Sequence, residues 1–520
     1  MHRRILAAAV LAVGCSPQAE PGRLDPAVGA ALATITAGDV HDRIAFLASD
    51  ELRGRDTPSP GLETAARWIA DQLASFGVQP AGEDGWFQRY PYPLVGLDAR
   101  ESRFEISAGA THALEYGTEF LAWGGRAPTR AVGVTYLGPG LRAPEGSLAD
   151  RAALVRLDAL PESDRRGFGF GGATRATIRN TSDAARSAGA ESVVFVLDPR
   201  VTPGEVGALV ESAEQPARAL GGVTADADPA TFFITREAAR RLFRMAGLDG
   251  TELLERASLE RPLTLSGVTL RLAAPLRAHD EETAPNMVGV IRGSDPGLSG
   301  TYVVLSAHMD HVGVGRPDET GDSIYNGADD DASGTAVLME VAEALAALPV
   351  PPKRSVLVLA VSGEEKGLLG SRWFSEHPTV PLDSVVANIN LDMVSRNAPD
   401  TIVVIGREYS SLGATVHEVA GRPELGLTLA ADPWPEQRFF FRSDHFNFAR
   451  HEIPALFFFA GTHEDYHRPS DEVDRIDADK ASRVGRLVFL LALAVADDPE
   501  PPRWDEDGLE EVRRLVAEDR

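Results

Sequence analysis

From about residue 285 the chain alternates between two textures. Nearly unbroken apolar runs, YVVLSAH (302–308), SVLVLAVS (355–362), VVANINLDM (385–393), TIVVIG (401–406) and ALFFFAG (455–461), are separated by stretches with apolar residues at helical spacing, such as SGTAVLMEVAEALAAL (333–348). Strands this continuously apolar are buried on both faces, and helices between them supply the cover. The pattern predicts an α/β fold: a mostly parallel, doubly wound sheet with helices on both faces, closed by a last helix near 478–496. Ahead of it, DVHDRIAFLA (39–48) and GLETAARWIADQLASFG (61–77) read as helices, the second stopped by Gly77. The turn-rich SDELRGRDTPSPG (49–61) joins them.

Between 111 and 272 the texture changes. Short strand-like runs (AVGVTYLG, AALVRLDA, ESVVFVLDP, ATFFIT) dominate, with few helical segments (TSDAARSAGA, REAARRLFRMAG). This block reads as a strand-rich domain inserted into the α/β unit. The resulting division is a signal peptide at 1–15, a linker at 16–36, the first part of the α/β domain at 37–110, the insertion at 111–272, the main α/β part at 273–500 and an acidic tail at 501–520, expected to form a solvated helix. GFGFGG (167–172) is a literal G-x-G-x-x-G, but PESDRR precedes it where a dinucleotide site needs a strand, so it reads as a flexible loop.

Composition narrows the function. At 520 residues the chain is too long for one core, and 43% hydrophobic with 25% charged residues is ordinary for a globular protein. A net charge of −26 argues against nucleic acid as a partner. MHRRILAAAVLAVGCS has a basic start, a short apolar run and Cys15, the single cysteine, so it reads as an export signal. Its AVGC resembles a bacterial lipobox, which makes Cys15 an expected lipid anchor of a periplasmic or outer-membrane protein, with plain secretion the alternative. No other segment is long and apolar enough to be a membrane helix. With one cysteine there is no internal disulfide.

HEDYH (463–467) matches H-E-x-x-H, the helical zinc motif. Its context is wrong: an apolar strand precedes it and Pro469 follows, so the segment reads as loop. Ligands of open α/β sheets gather at the carboxyl ends of strands. Here those ends carry His308 and Asp310 (SAHMDH), Asp329 to Asp331 (NGADDDASG), Glu364 and Glu365 (VSGEEKG), Asp392 (NLDM) and His467 (DYHRPSD). Each alone is an ordinary structural residue. Together they form a donor set of oxygen and imidazole, suited to zinc or a related divalent metal, and so many carboxylates in one crevice need cations.

In order along the chain, HMD, GADDDASG, GEE, LDM and YHRPSD resemble the motifs of the two-zinc exopeptidases that include bacterial aminopeptidases and glutamate carboxypeptidase. The inserted block, with AALVRLDA and AARSAGAESVVFVLDP, resembles a protease-associated (PA) domain. The resemblance implies two zinc ions and a peptide substrate. It implies His308 and Asp392 as ligands of one metal, Glu365 and His467 as ligands of the other, and Asp330 bridging both. Glu364 is implied as general base for a water between the metals, Asp310 as the carboxylate orienting His308, and Tyr466 as support for the oxyanion; His463 and Glu464 are left as loop residues. Asp331 departs from the usual Asn, and Asn447 in RSDHFNFA from a frequent Pro. The implied activity is that of an aminopeptidase. The alternatives are a carboxypeptidase, for which Arg442 and Arg468 are candidate carboxylate partners, a single-zinc glutaminyl cyclase, and a non-catalytic receptor-like protein. Oligomeric state and side-chain preference are not legible.

Overall fold

The structure, a computed structural model, describes residues 24–139, 143–157, 172–197, 215–222 and 230–519. Cys15 with its signal and the loop at 167–171 lie outside the described residues; Gly172 begins a helix, Gly172–Ser187. The chain forms two compact units, residues 1–89 with 285–520, and 90–284.

The first unit is built on a nine-stranded sheet. Its main strands are β1 (Thr283–Ile291), β2 (Tyr302–His308), β3 (Ser355–Val361), β4 (Val385–Leu391), β5 (Thr401–Ile405), β6 (Thr428–Ala430) and β7 (Ala455–Phe459), in the order β1-β3-β2-β4-β7-β5-β6. The central ladders β3-β2, β2-β4 and β4-β7 are parallel, as is β5-β6. The pairings β1-β3 and β7-β5 are antiparallel, so the sheet is mixed around a parallel centre.

Side chains of the central strands alternate between two cores. Val303, Leu305 and Ala307 of β2 and Val356, Val358 and Ala360 of β3 join one cluster, while Tyr302, Val304, Leu357, Leu359 and Val361 join another. This period of two, with both faces buried, explains why the runs are apolar throughout. The larger core is covered by α1 (Ala37–Leu47), α2 (Pro60–Ser75), α3 (Gly334–Ala346) and α4 (Ala478–Asp497), with α4 packed against α1 and α3. Their starts follow local chemistry: the side chains of Thr36, Ser59 and Asp477 accept from the backbone N–H of Asp39, Leu62 and Lys480. The helix Glu506–Asp519 is charged as expected but not simply solvated, since Val512 is buried and Leu515 and Val516 pack beside it among Phe439 and Phe440.

The second unit has an eight-stranded sheet in the order 110–113, 103–108, 263–273, 132–136, 151–157, 192–197, 231–234, 120–123. Val194 and Val196 face one core and Val193 and Phe195 the other. The unit is wider than the block at 111–272 marked by sequence texture, because Arg103–Ala108 pairs antiparallel with Leu263–Ala273 and belongs to this sheet.

Candidate metal centre

The parallel strands point their carboxyl ends at one place. His308 is the last residue of β2 and Asp392 directly follows β4. Glu364 and Glu365 open the short 3-10 turn Glu364–Lys366 after β3, entered through Gly363 at φ 71°. Asp330 lies in the π-type turn Ala328–Ser333 ahead of α3, and His467 in the loop after β7. That turn leaves no room for a side chain at its end: a Cβ on Gly334 would lie 2.4 Å from Asp331 Oδ1 and 2.6 Å from the Leu391 carbonyl oxygen.

Around Asp330 the donors divide into two groups. His308 Nε2 lies 3.2 Å from Asp330 Oδ1 and 3.5 Å from Asp392 Oδ1. On the other side His467 Nε2 lies 3.1 Å from Asp330 Oδ2 and 3.1 Å from Glu365 Oε2. Donors about 2.0–2.2 Å from a tetrahedral zinc stand roughly 3.2–3.6 Å apart, so these spacings suit metal ligands. His308 Nε2 is moreover buried without a hydrogen-bond partner. A further triad, His308, Glu364 and Asp392, and another, His311, Asp330 and Glu365, each bring their ligand atoms within 4.8 Å of one another. The residues present therefore fit two divalent cations sharing Asp330.

Electrostatics point the same way. Burial pushes the Glu364 carboxyl well above its ordinary range, with Asp392, Asp444 and Glu365 adding repulsion against the pull of His308. Asp392 is raised by burial despite His308, and Asp444 is pushed up to about 7 by burial and by Asp310 and Asp392. The imidazoles answer in the opposite sense. Burial alone would lower His467, but Asp330 and Glu365 hold it up at about 10. His308 is likewise held well above its ordinary value against burial by Asp392 and Glu364. Without metal the site is a buried excess of carboxylates drawing protons onto its histidines, the charge pattern a cation relieves.

The surroundings fix these groups. Ser443 Oγ donates to Asp392 Oδ2 at 2.8 Å and itself accepts from Asn390 Nδ2 at 2.8 Å. Ser306 Oγ donates to Asn390 Oδ1 at 2.6 Å and accepts from Asn388 Nδ2 at 2.9 Å. Asp331 is not a donor to either group; its carboxylate accepts the backbone N–H of His308, Gly334 and Met393. Asp310 faces His308 through both its backbone and its carboxylate. His308 Nδ1 lies 3.2 Å from the Asp310 backbone oxygen, while the carboxylate is 3.7 Å away and accepts from Thr57 Oγ1 at 2.9 Å and from the Glu364 N–H at 3.4 Å. Arg55, from the loop 49–61, is buried and donates to the carbonyls of Leu47, Met309, Asn326 and Gly327, setting the backbone on both sides of the ligands. Burial lowers its pKa to about 10.

HEDYH is loop, as its context predicted, yet His463 is no idle loop residue. Its side chain is 3% exposed, with Nε2 3.3 Å from Asp329 Oδ2. The sequence leaves His463 as a loop residue and assigns no role to Arg55, His311, Asp444 or the Asn388–Asn390 pair. The only early signal was two asparagines at alternate positions of an otherwise apolar strand.

Beside the ligands lies a small pocket. Asp330, Glu364, Asp392 and Tyr466 form its polar side, Met393, Phe439, Phe457 and Phe459 its apolar wall, and Arg442 also lines it. Arg442 carries its guanidinium over the Phe439 ring, 4.7 Å from the centroid. Arg468 is exposed and is not among the lining residues. Tyr466 stacks on His467, ring centroids 3.9 Å apart.

The sequence profile of Peptidase family M28 matches residues 286–492, the stretch that carries every donor above. A probable zinc metalloprotease of Pyrenophora tritici-repentis is 28% identical over 283 residues, covering 46% of this chain and 56% of its own length. Aminopeptidase YwaD of Bacillus subtilis is 27% identical over 245 residues, covering 44% and 48%. The chain thus spans about half the length of the curated relatives it matches. Among solved structures, an aminopeptidase from Aneurinibacillus sp. strain AM-1 aligns over 91% of this chain and 97% of its own at 19% identity, with a TM-score of 0.46. On that match and the ordered motifs, the donor-bearing stretch 286–492 is similar to Peptidase family M28.

Proposed function

We propose that the chain is a zinc-dependent exopeptidase, an aminopeptidase, with two metals held by His308, Asp392 and Asp330 on one side and by Asp330, Glu365 and His467 on the other. The observation that carries the reading is Asp330, which turns Oδ1 to one donor group and Oδ2 to the other. The profile match at 286–492 and the names of similar proteins, a probable zinc metalloprotease and an aminopeptidase, support the same choice. When bound, the zinc ions supply Lewis acidity toward the scissile carbonyl and the attacking water.

The chain's own residues do the rest. Glu364 lines the pocket and burial raises its pKa, so it is suited to take a proton from water and return it to the leaving amine. Burial and the carboxylates of Asp330 and Glu365 push the Tyr466 hydroxyl well above its ordinary pKa, which keeps it a hydrogen donor for a developing oxyanion. Met393, Phe439, Phe457 and Phe459 would receive an apolar side chain next to the scissile bond. The strand-rich unit at 90–284 is assigned no ligand and no proton-transfer role.

The test is a panel of dipeptides blocked at one end or the other, given to zinc-replete protein. Cleavage of carboxyl-blocked but not amino-blocked dipeptides is expected. The reverse preference would identify a carboxypeptidase and make Arg442 its carboxylate partner. Release of pyroglutamyl product from N-terminal glutamine without hydrolysis would identify a cyclase.

A further inference from the structure

His311 has no part in the reading above, yet it is among the most enclosed residues of the site. It is fully buried, and Gly327 walls in its ring: at φ 59°, a Cβ there would lie 2.5 Å from His311 Cγ. Its Nδ1 lies 2.7 Å from Glu365 Oε1 and 3.8 Å from Asp330 Oδ2. The contact with Oε1 is a short charge contact more than a straight hydrogen bond, and neither ring nitrogen has another polar partner among the described residues. His467 meets the same carboxylate from the other oxygen, with Nε2 3.1 Å from Oε2. The two oxygens of Glu365 are therefore divided between two imidazoles.

The distances separate their roles. The His467 spacings of 3.1 Å to Oε2 and to Asp330 Oδ2 suit two donors on one metal, whereas 2.7 Å is direct contact between partners. We propose that His311 is a positioning residue for the second metal: it holds Oε1 of Glu365 and so presents Oε2 to the cation that Glu365 shares with Asp330 and His467. The inference rests on the two-metal reading. Its physical basis is general, since a ligand carboxylate whose free oxygen is held loses less freedom on binding metal, and partners of this kind typically contribute 10–100-fold to metal affinity. The backbone around the ring is held independently, because the His311 N–H donates to the Arg55 carbonyl.

The experiment compares wild type, His311→Asn and His311→Leu by metal content across buffered free-zinc concentrations, with zinc-edge X-ray absorption on the loaded proteins. Asn offers an amide N–H close to the place of Nδ1; Leu fills the space with no donor. Wild type should load two zinc ions, and failure to do so would sink the two-metal reading itself. Given two, His311→Leu should need roughly 10–100-fold more free zinc to fill one site and no more for the other, with His311→Asn restored toward wild type. An unchanged pair of affinities in a folded His311→Leu overturns the inference, as does equal weakening of both sites or of both variants. A coordination number of imidazole that falls in both variants also overturns it, by making His311 a ligand itself. If His311→Leu does not fold, the Asn variant decides: wild-type affinity at both sites supports the proposal, and loss at both refutes it.

Discussion

The two adjacent glutamates are separated by a single peptide bond and by opposite surroundings. Glu365 is drawn down to about 2 by His311 and His467 in spite of burial and Asp330, so it is a committed anion facing the second donor group. Glu364 is pushed up by burial among carboxylates and lines the open pocket. Glu364→Gln should therefore keep both metals and lose roughly 10²–10⁴-fold in turnover, because only proton transfer is removed. Glu365→Gln should lose metal first, and metal analysis of the two variants checks the assignment; an unchanged two-metal content in Glu365→Gln would exchange their roles. The two histidines of HEDYH divide likewise. His467→Ala removes a donor and should strip metal. His463→Ala should leave metal content intact but deprive the buried Asp329 of its neighbour, at a cost to stability of about 1–3 kcal/mol. Loss of bound metal in His463→Ala with retention in His467→Ala would overturn the centre as drawn here.

At the scale of elements, the turn between β2 and α3 carries the most function per residue. Three successive aspartates take three directions: Asp329 toward Ser333, Ser395 and His463, Asp330 toward the donors, Asp331 toward backbone N–H groups. An ordinary helix start would not separate them so, and the φ/ψ values of Asp330 (−104°, 95°) and Asp331 (−127°, 46°) are not helical. The end of the turn depends on glycine. Gly334→Ala places a methyl against Asp331 Oδ1 and the Leu391 carbonyl, both part of the frame that orients Asp330 and Asp392. It should destabilise by about 1–3 kcal/mol and lower metal affinity together. Thermal melting with and without zinc checks this: a fall in melting temperature with zinc affinity intact would show that the turn is only scaffold.

At the scale of the molecule, metal and folding are coupled. Four strand ends and the turn before α3 bring the donors to one crevice only when the sheet is formed, so zinc should bind the folded chain and raise its melting temperature, while chelation should lower it. The pH dependence has a definite sign. In the metal-free protein Asp392 and Glu364 favour the protonated form of His308 against burial, and Asp330 and Glu365 hold His467 up at about 10, so zinc competes with protons for these donors. Affinity should rise with pH between about 6 and 8, and calorimetry in buffers of different ionisation enthalpy should show proton release. For the metal-free fold the raised His467 pKa acts oppositely: its ion pairs contribute stability that is complete below the unfolded imidazole pKa, declines as pH rises above it, and is gone above about 10. Zinc affinity independent of pH across the neutral range would contradict this charge balance.

Some of this was written in the sequence. Period-two burial on both faces leaves a continuous apolar run, and a strand end followed by acid or histidine marks a ligand position; both are local signals, and they gave the α/β unit and the strand-end donors. The limits of the second unit were not local, since Arg103–Ala108 joins its sheet by pairing with a strand more than 150 residues away, beyond any change of texture. The YHRPSD resemblance set His467 apart from His463, but the contact of His463 with Asp329 depends on how the loop folds back and left no trace in the sequence. Arg55, Asp444 and His311 have no role that the sequence assigns, although His311 ends SAHMDH and Asp444 lies in RSDHFNFA. They matter because a buried polar atom must find partners wherever the fold puts them, and only the tertiary structure decides which carboxylate, carbonyl or imidazole that partner is.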